Sequence, residues 1–132
     1  SPIKRSPSAN TSTGHYQDKK NDEKTVAIKE HPFGGDGQIT VRSLLNNENE
    51  LYKKGRVFAH TTLQPGCSIG YHVHTGESET YYILSGVGEF NDNGSVSTVY
   101  AGDVTHTPPG QGHGLKNTGG EALEIIALIL YQ

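Results

Sequence analysis

Turn-forming residues recur so often between Thr25 and the C-terminus that only short structural elements fit between them. Proline and glycine stand together at Pro65-Gly66 and at Pro108-Pro-Gly110, and Asp92-Asn-Gly94 is typical of a tight hairpin turn. The chain holds 17 glycines and no methionine or tryptophan among its 132 residues. Short segments divided by regularly spaced turns favour an all-β barrel or jelly roll over an alternating β/α fold.

The residue pattern inside these segments also favours strands. In residues 38–45, for example, Ile39 and Val41 alternate with polar neighbours. The last segment, Leu123–Leu130, is almost entirely apolar, and its periodicity alone does not distinguish a strand from a helix. Because it contains three isoleucines and follows many strand-like segments, we predict a buried terminal strand over residues 122–131.

The first 24 residues differ in composition from the rest of the chain. Serine, lysine, asparagine, aspartate and threonine dominate residues 1–24, and Ile3 is the one large aliphatic side chain there. Such a stretch buries too little apolar surface to offset the entropy lost on ordering. We therefore predict a flexible N-terminal tail over residues 1–24 and a single domain over residues 25–132.

Charge, hydropathy and cysteine content argue against several functional classes. The formal net charge of −3 provides no basic surface for nucleic acid. The longest apolar run, residues 125–130, is far shorter than the roughly 20 residues that cross a membrane. Cys67 is the single cysteine, so the chain forms no internal disulfide. We expect no nucleic-acid partner, no membrane association and a cytoplasmic location.

Two histidines separated by one residue are the first indication of chemistry. In a strand, His72 and His74 project from the same face, so both imidazoles can reach one point. Glu79 lies five residues after His74, and that odd offset requires a turn or bulge, which Gly76 permits. Glu77 is the competing carboxylate, and strand parity alone does not eliminate it.

The spacing extends across two longer motifs. The first reads Gly66-x5-His72-x-His74-x4-Glu79-x6-Gly86, and the second, after 15 residues, reads Gly102-x5-Pro108-x-Gly110-x2-His113-x3-Asn117. With every fixed position matched in the right order, the chain resembles a small single-domain member of the cupin superfamily. The resemblance implies a cupin-type β-barrel, also called a double-stranded β-helix or jelly roll, over roughly residues 25–132.

The resemblance also implies one divalent metal ion per chain, held by His72, His74, Glu79 and His113 in a six-coordinate site with two open positions. Three imidazoles and one carboxylate suit manganese, iron, nickel, cobalt or zinc better than calcium or magnesium. Open positions are what a catalytic metal requires, because they admit water or substrate.

Two further residues are candidates for acid–base catalysis. Strand parity from Glu79 places Tyr81 beside the metal, where a nearby cation would lower the pKa of its phenol. His106, seven residues before His113, is the second candidate for facing the cavity. For both residues, a packing role inside the barrel is the competing interpretation.

The function that follows is a divalent-metal-dependent enzyme acting on a small oxygenated molecule, such as a carboxylic acid, keto acid or sugar derivative. Dioxygenase, decarboxylase, isomerase and lyase activities all occur among the proteins that the chain resembles. The alternative is a non-catalytic module that binds or senses a small ligand through the same metal. We expect a homodimer in either case, by resemblance and because the apolar first and last strands need covering.

Overall fold

The computed structural model describes residues 18–132 and consists almost entirely of strands. Two short 3-10 helices, Asn21–Glu23 and Pro32–Gly34, flank the first strand. The ten strands are β1 (Val26–Glu30), β2 (Gln38–Leu45), β3 (Gly55–Leu63), β4 (Ser68–Val73), β5 (Glu77–Ser85), β6 (Val87–Asp92), β7 (Ser95–Tyr100), β8 (Val104–Thr107), β9 (Gly112–Asn117) and β10 (Leu123–Tyr131).

The strands form two antiparallel sheets that face each other. The larger sheet has the order β1-β2-β3-β10-β5-β8, and the smaller sheet has the order β4-β9-β6-β7. From β3 onward the chain passes from one sheet to the other at every step except β6 to β7, which are neighbours in the smaller sheet. This arrangement confirms the predicted all-β jelly roll of the cupin type.

The last strand is confirmed as a strand, and its position explains its composition. β10 lies in the middle of the larger sheet, paired with β3 on one side and β5 on the other. Ile125, Ala127 and Ile129 point into the barrel, and the alternate residues are partly covered on the outer face. The expectation that the apolar last strand needs covering by a second subunit is therefore wrong, because β10 does not lie at an edge of its sheet. Within residues 18–132, the edge strands of the larger sheet are β1 and β8.

A hydrophobic core fills the space between the sheets and borders the histidine-rich region. Leu63, Ile83, Leu115, Leu123 and Ile125 have almost no exposed surface. Tyr81 and Phe90 belong to the same cluster. Both rings lie against the imidazole of His113, with ring centroids 5.0 Å and 5.8 Å away respectively. The core therefore packs directly against the histidine-rich region through these two rings.

The predicted N-terminal tail lies largely outside the described residues. Residues 1–17 are not described, and residues 18–24 contain the 3-10 helix Asn21–Glu23. Within this part, Lys19 Nζ lies 2.8 Å from Glu50 Oε1. The domain boundary after residue 24 remains a prediction. In residues 18–132, no helix has the length and hydropathy needed to cross a membrane.

Candidate metal centre

Four side chains converge from both sheets inside one end of the barrel. His72 lies in β4 and His113 in β9, and these two residues face each other in the register of the smaller sheet. His74 directly follows β4, and Gly76 then adopts a left-handed φ of 73°, which turns the chain into β5 of the larger sheet. Glu79 consequently points inward from the opposite sheet. The turn expected from the five-residue offset is present.

The candidate ligand atoms of these four residues all lie within 4.8 Å of one another. Glu79 Oε1 is 2.8 Å from His74 Nε2, 3.0 Å from His113 Nε2 and 4.0 Å from His72 Nε2. The Nε2 atoms of His74 and His113 are 3.1 Å apart. His74, Glu79 and His113 are buried, and His72 is nearly so. The structure therefore groups the four predicted residues into one compact cluster.

The other ring nitrogen of each histidine contacts an oxygen outside the cluster. Nδ1 lies 2.7 Å from the Gly70 carbonyl in His72, 3.0 Å from Glu77 Oε1 in His74 and 2.9 Å from Thr107 Oγ1 in His113. In a neutral imidazole, a proton on Nδ1 leaves a lone pair on Nε2. With the protons on Nδ1, all three Nε2 lone pairs would be available to a bound ion, whereas in the metal-free protein the Nε2 atoms of His74 and His113 donate to Glu79.

The donor set and its dimensions fit a divalent transition metal. Nitrogen and carboxylate ligands bind such ions at about 2.0–2.2 Å, so two ligands at right angles lie about 3 Å apart. The separations of 2.8, 3.0 and 3.1 Å among His74, Glu79 and His113 match that spacing. Three imidazoles with one carboxylate also match the preference of Mn, Fe, Co, Ni and Zn. The residues present could thus hold such an ion.

The charges in the cluster are strongly coupled. Burial by itself raises the pKa of Glu79, but hydrogen bonds from His113 and His74 outweigh it and lower the pKa to about 2. The hydrogen bond to Glu79, with a second one to Glu77, raises the pKa of His74. Burial lowers the pKa of His72. The carboxylate is therefore ionised throughout the physiological range, as a metal ligand must be.

Glu77, the competing carboxylate, lies outside the cluster of four residues. Only 13% of its side-chain surface is exposed. Glu77 shares the inward face of β5 with Glu79 and contacts His74 from outside the cluster. Arg56 donates to both of its oxygens, at 2.8 and 2.6 Å, and this hydrogen bonding lowers the pKa of Glu77.

Tyr81 lies inside the barrel, as strand parity predicted. Its hydroxyl donates to Glu79 Oε1 at 3.4 Å, and its ring stacks on His113 at an interplanar angle of 19°. Burial, reinforced by the negative charge of Glu79, raises the pKa of the phenol well above its usual value. In the metal-free protein, Tyr81 is consequently a neutral hydrogen-bond donor at the edge of the cluster.

His106 lies on the outward face of β8, away from the cluster. It pairs with Thr80 across the sheet, and its Nδ1 lies 2.9 Å from Thr80 Oγ1. Its neighbours Thr105 and Thr107 are the residues of β8 that point inward. The structure therefore does not bring His106 together with the four predicted ligands.

A small cavity of about 110 Å³ opens beside the cluster. Aliphatic side chains from both sheets form most of its wall, and Lys29 and Arg56 add two positive charges. Neither cation was predicted as a site residue from the sequence. Both come from strands outside the two motifs, and no pattern in the sequence shows which way they point.

Phe33 is a further unpredicted residue at this cavity. Its ring is parallel to that of His72, although 62% of the residue is exposed and its φ is +52°. The loop that carries Phe33 packs tightly on β4. A Cβ on Gly70 would overlap the Phe33 carbonyl oxygen, and one on Gly35 would overlap that of Ser68. The close approach of two backbones thus places the ring over His72.

Comparisons with known proteins agree with this fold and site. A family model described as a cupin domain matches residues 59–129. The chain is 45% identical over 97 residues to the Oxalate-binding protein of Thermotoga maritima, a match that covers 74% of this chain and 79% of that protein.

Solved structures show the same similarity. A crystal structure described as a predicted oxalate decarboxylase from Thermotoga maritima has a TM-score of 0.81 and 39% identity, covering 86% of this chain and 97% of that one. The Cnp3 cupin domain of Schizosaccharomyces pombe has a TM-score of 0.65 at 17% identity, covering 82% and 70% of the two chains, and shows a likeness of fold alone.

Proposed function

The chain belongs to the cupin domain family, and on this premise we propose that it binds a small carboxylate, such as oxalate, at one divalent metal ion. The ion would be held by His72, His74, Glu79 and His113. The observation that carries the proposal is that each imidazole has its Nδ1 against an oxygen and its Nε2 toward Glu79. A bound divalent ion supplies positive charge and Lewis acidity for the oxygens of an anionic ligand.

The cavity supports a small anionic ligand. Its volume of about 110 Å³ is well below the roughly 300–1,000 Å³ of pockets for drug-sized molecules. Its apolar wall lowers the local dielectric constant and so strengthens electrostatic attraction inside. Lys29 provides positive charge at the same cavity, whereas the charge of Arg56 is balanced by its ion pair with Glu77. The name of the 45%-identical relative, Oxalate-binding protein, is the basis for choosing oxalate as the first ligand to test.

Catalysis on the same carboxylate is the second candidate function, and Tyr81 favours it. Its neutral hydroxyl lies at the edge of the cluster and donates to Glu79, so a proton donor is available beside the bound ligand. A decarboxylase, dioxygenase, isomerase or lyase would use such a group, whereas a binding protein has no need of it. During incubation with oxalate, release of carbon dioxide would identify a decarboxylase and consumption of dioxygen a dioxygenase, and simple binding would produce neither.

The metal site is tested with variants of two predicted ligands, His113 and Glu79, and of one histidine outside the cluster, His106. Protein purified without added metal is analysed for its elements, and the metal-free protein is then titrated with Mn²⁺ and Zn²⁺ and afterwards with oxalate. We expect one ion per chain. His113→Gln and Glu79→Gln should lower metal affinity by more than the roughly 10–100-fold typical of losing an outer hydrogen-bond partner. His106→Gln is the matched control, because His106 points outward from β8.

Two results would contradict the proposal. One is wild-type protein that takes up no divalent ion under any of these conditions. The other is oxalate binding that persists unchanged in metal-free His113→Gln, because the ligand would then be held without the metal. An equal loss of metal affinity in the His106 and His113 variants would contradict the assignment of His113 as a ligand, because His106 lies outside the cluster.

A further inference from the structure

We infer that Glu77 is a positioning residue for His74, and that Arg56 fixes Glu77 in that role. The inference rests on the proposed metal site and adds two residues outside the four ligands. Neither residue touches the point on which the Nε2 atoms converge. Their action would be on the orientation and the protonation pattern of one imidazole.

The contact between Glu77 and His74 is specific to one ring nitrogen. Glu77 Oε1 lies 3.0 Å from Nδ1 of His74, whose Nε2 is directed at Glu79 and His113. A carboxylate at Nδ1 retains the proton there and holds the plane of the ring, which leaves the Nε2 lone pair directed into the cluster. Glu77 therefore has the position required to select the ligating tautomer.

His74 differs from the other two histidines in the charge of its outer partner. His72 and His113 use a backbone carbonyl and a threonine hydroxyl, both neutral. His74 alone among these three uses a carboxylate, and hydrogen bonds to charged acceptors are roughly twice as strong as neutral ones. His74 is also the ligand that lies beyond the end of β4, in the turn to β5. Backbone hydrogen bonds with Gln111 and Gly110 hold the main chain of His74 there, and the contact with Glu77 holds its ring.

A β-bulge explains how Arg56 reaches Glu77. β10 pairs Ile129 with Val57 but Leu130 with Gly55, so Arg56 is an extra residue in β3 without a partner in that register. Bulges of this kind redirect side chains and are common beside functional sites. The guanidinium of Arg56 donates through Nε and Nη2 to the two oxygens of Glu77. This forked contact restrains the carboxylate in two directions.

The test combines metal affinity with an NMR measurement on the imidazole itself. Glu77→Ala, Glu77→Gln and Arg56→Met are compared with Glu89→Gln and Glu89→Ala, because Glu89 is an exposed carboxylate on β6. In the zinc-loaded wild type, the Nδ1 proton of His74 should exchange slowly and be visible in nitrogen-15 spectra. Glu77→Ala should lose this resonance and lower zinc affinity by about 10–100-fold.

The two milder variants separate position from charge. Glu77→Gln keeps an acceptor oxygen without the charge, so the resonance should remain while affinity falls less than in Glu77→Ala. Arg56→Met should reduce affinity in the same direction by a smaller factor, because Glu77 stays but is less restrained. If Glu77 acts only on overall stability, the Nδ1 proton resonance of His74 should not depend on an acceptor oxygen at position 77. Its presence in Glu77→Gln and its loss in Glu77→Ala would therefore indicate a direct contact with His74.

The inference is overturned if Glu77→Ala keeps the slowly exchanging proton with zinc affinity within about twofold of wild type, well short of the 10–100-fold loss expected. It is equally overturned if the Glu77 and Glu89 variants lose the same affinity, since the effect would then be one of overall charge. Wild-type protein that takes up no zinc would contradict the proposed function instead. In that event the resonance in metal-free wild type and Glu77→Ala still tests the contact with His74.

Discussion

The ring of Phe33 lies parallel to the imidazole of His72, with centroids 3.7 Å apart and planes inclined by 8°. The arrangement is unfavourable locally for two reasons. Phe33 is largely exposed, and its backbone is in the left-handed region, which costs a non-glycine residue about 1 kcal/mol or more. Residues that tolerate such costs are frequent at functional sites. The stack therefore points to a role of Phe33 in holding His72.

Replacing Phe33 by leucine tests that role. Aromatic pairs contribute about 0.5–1.5 kcal/mol beyond the burial of their area, so Phe33→Leu should weaken metal binding by about 2–10-fold. Phe33→Tyr keeps the ring and should retain wild-type affinity. Titration with Mn²⁺ measures both, and Tyr82→Leu, an exposed aromatic on the outer face of β5, is the control. Equal affinity of Phe33→Leu and wild type would mean that the stack does not support His72.

Tyr81→Phe separates catalysis from packing. The variant keeps the ring between the core and His113 and loses only a long hydrogen bond, so stability should change by at most about 1 kcal/mol, and the metal should stay bound. If the protein turns over oxalate, loss of the proton donor should lower the rate by about a hundredfold or more. Tyr82→Phe, on the outward face, should have no effect. Unchanged turnover in Tyr81→Phe would assign the ring to packing.

Acid should destabilise the metal-free protein through Glu79. Its pKa is about 2 in the folded protein and 4.5 in the absence of structure. Because the folded value is the lower one, the stabilisation is fully present above about pH 4.5 and is lost as the pH falls toward 2. A difference of about 2.5 units corresponds to about 3 kcal/mol.

Denaturant unfolding at a series of pH values measures this effect. The stability advantage of wild type over Glu79→Gln should shrink progressively between about pH 4.5 and pH 2, because glutamine does not titrate in that range. Glu89→Gln is the control for an exposed carboxylate. An advantage that stays constant across this range would show that Glu79 keeps an ordinary pKa in the folded protein.

We propose that residues 1–24 do not contribute to the barrel. Their removal should leave the melting temperature of the metal-loaded protein within a few degrees, since residues 18–24 contribute no side chain to the buried core. Differential scanning calorimetry of one chain lacking residues 1–17 and another lacking residues 1–24 measures the contribution of residues 1–17 and of residues 18–24 to the melting temperature separately. A fall of about ten degrees in either would place the domain boundary earlier in the chain.

We also propose a homodimer formed through the outer face of the larger sheet. Exposed apolar side chains lie at the two ends of this face, with Val26 and Ile28 on β1 at one end and Tyr82, Leu84 and Val104 on β5 and β8 at the other. A second copy would cover both the face and the edge of β1, with which no other strand of residues 18–132 pairs on its outer side.

Ile28→Glu should shift the solution mass measured by light scattering from that of two chains to that of one. The control, Val96→Glu, is a similarly exposed valine in β7 of the smaller sheet, and it should remain dimeric. A wild-type protein that is monomeric at all concentrations, or a Val96 variant that dissociates equally, contradicts this interface.

The fold and the four clustered residues were expected because the two motifs resemble those of the cupin superfamily, and that resemblance implies both. The position of Tyr81 also followed from parity with Glu79 on the same strand. Glu77 was within reach of the same rule, since it lies two residues before Glu79 on β5. The parity of an unbroken strand identifies such faces, but it does not say which inward side chain lies beside which imidazole.

Other features depend on relations that a single sequence does not contain. Arg56 turns toward Glu77 because of a bulge opposite β10, more than 70 residues along the chain, and no local pattern marks that bulge. Phe33 reaches His72 because its loop lies on β4. The sequence does not reveal how β8 pairs with β5. This pairing directs the side chain of His106 outward, so the hypothesis that His106 faces the cavity could not be checked from the sequence.

The close approach of Gly70 to the Phe33 carbonyl implies that evolution can change few residues at this site, including residues that do not bind the metal. A single methyl group added at Gly70 would overlap the Phe33 carbonyl oxygen and displace the loop, so the ring of Phe33 would move away from His72. Gly70 has this effect although it bears no functional group. The two backbones can therefore change only together, through paired substitutions or a different loop length. Homologues that differ in the loop before β2 should accordingly differ at position 70 and in the ring that faces His72.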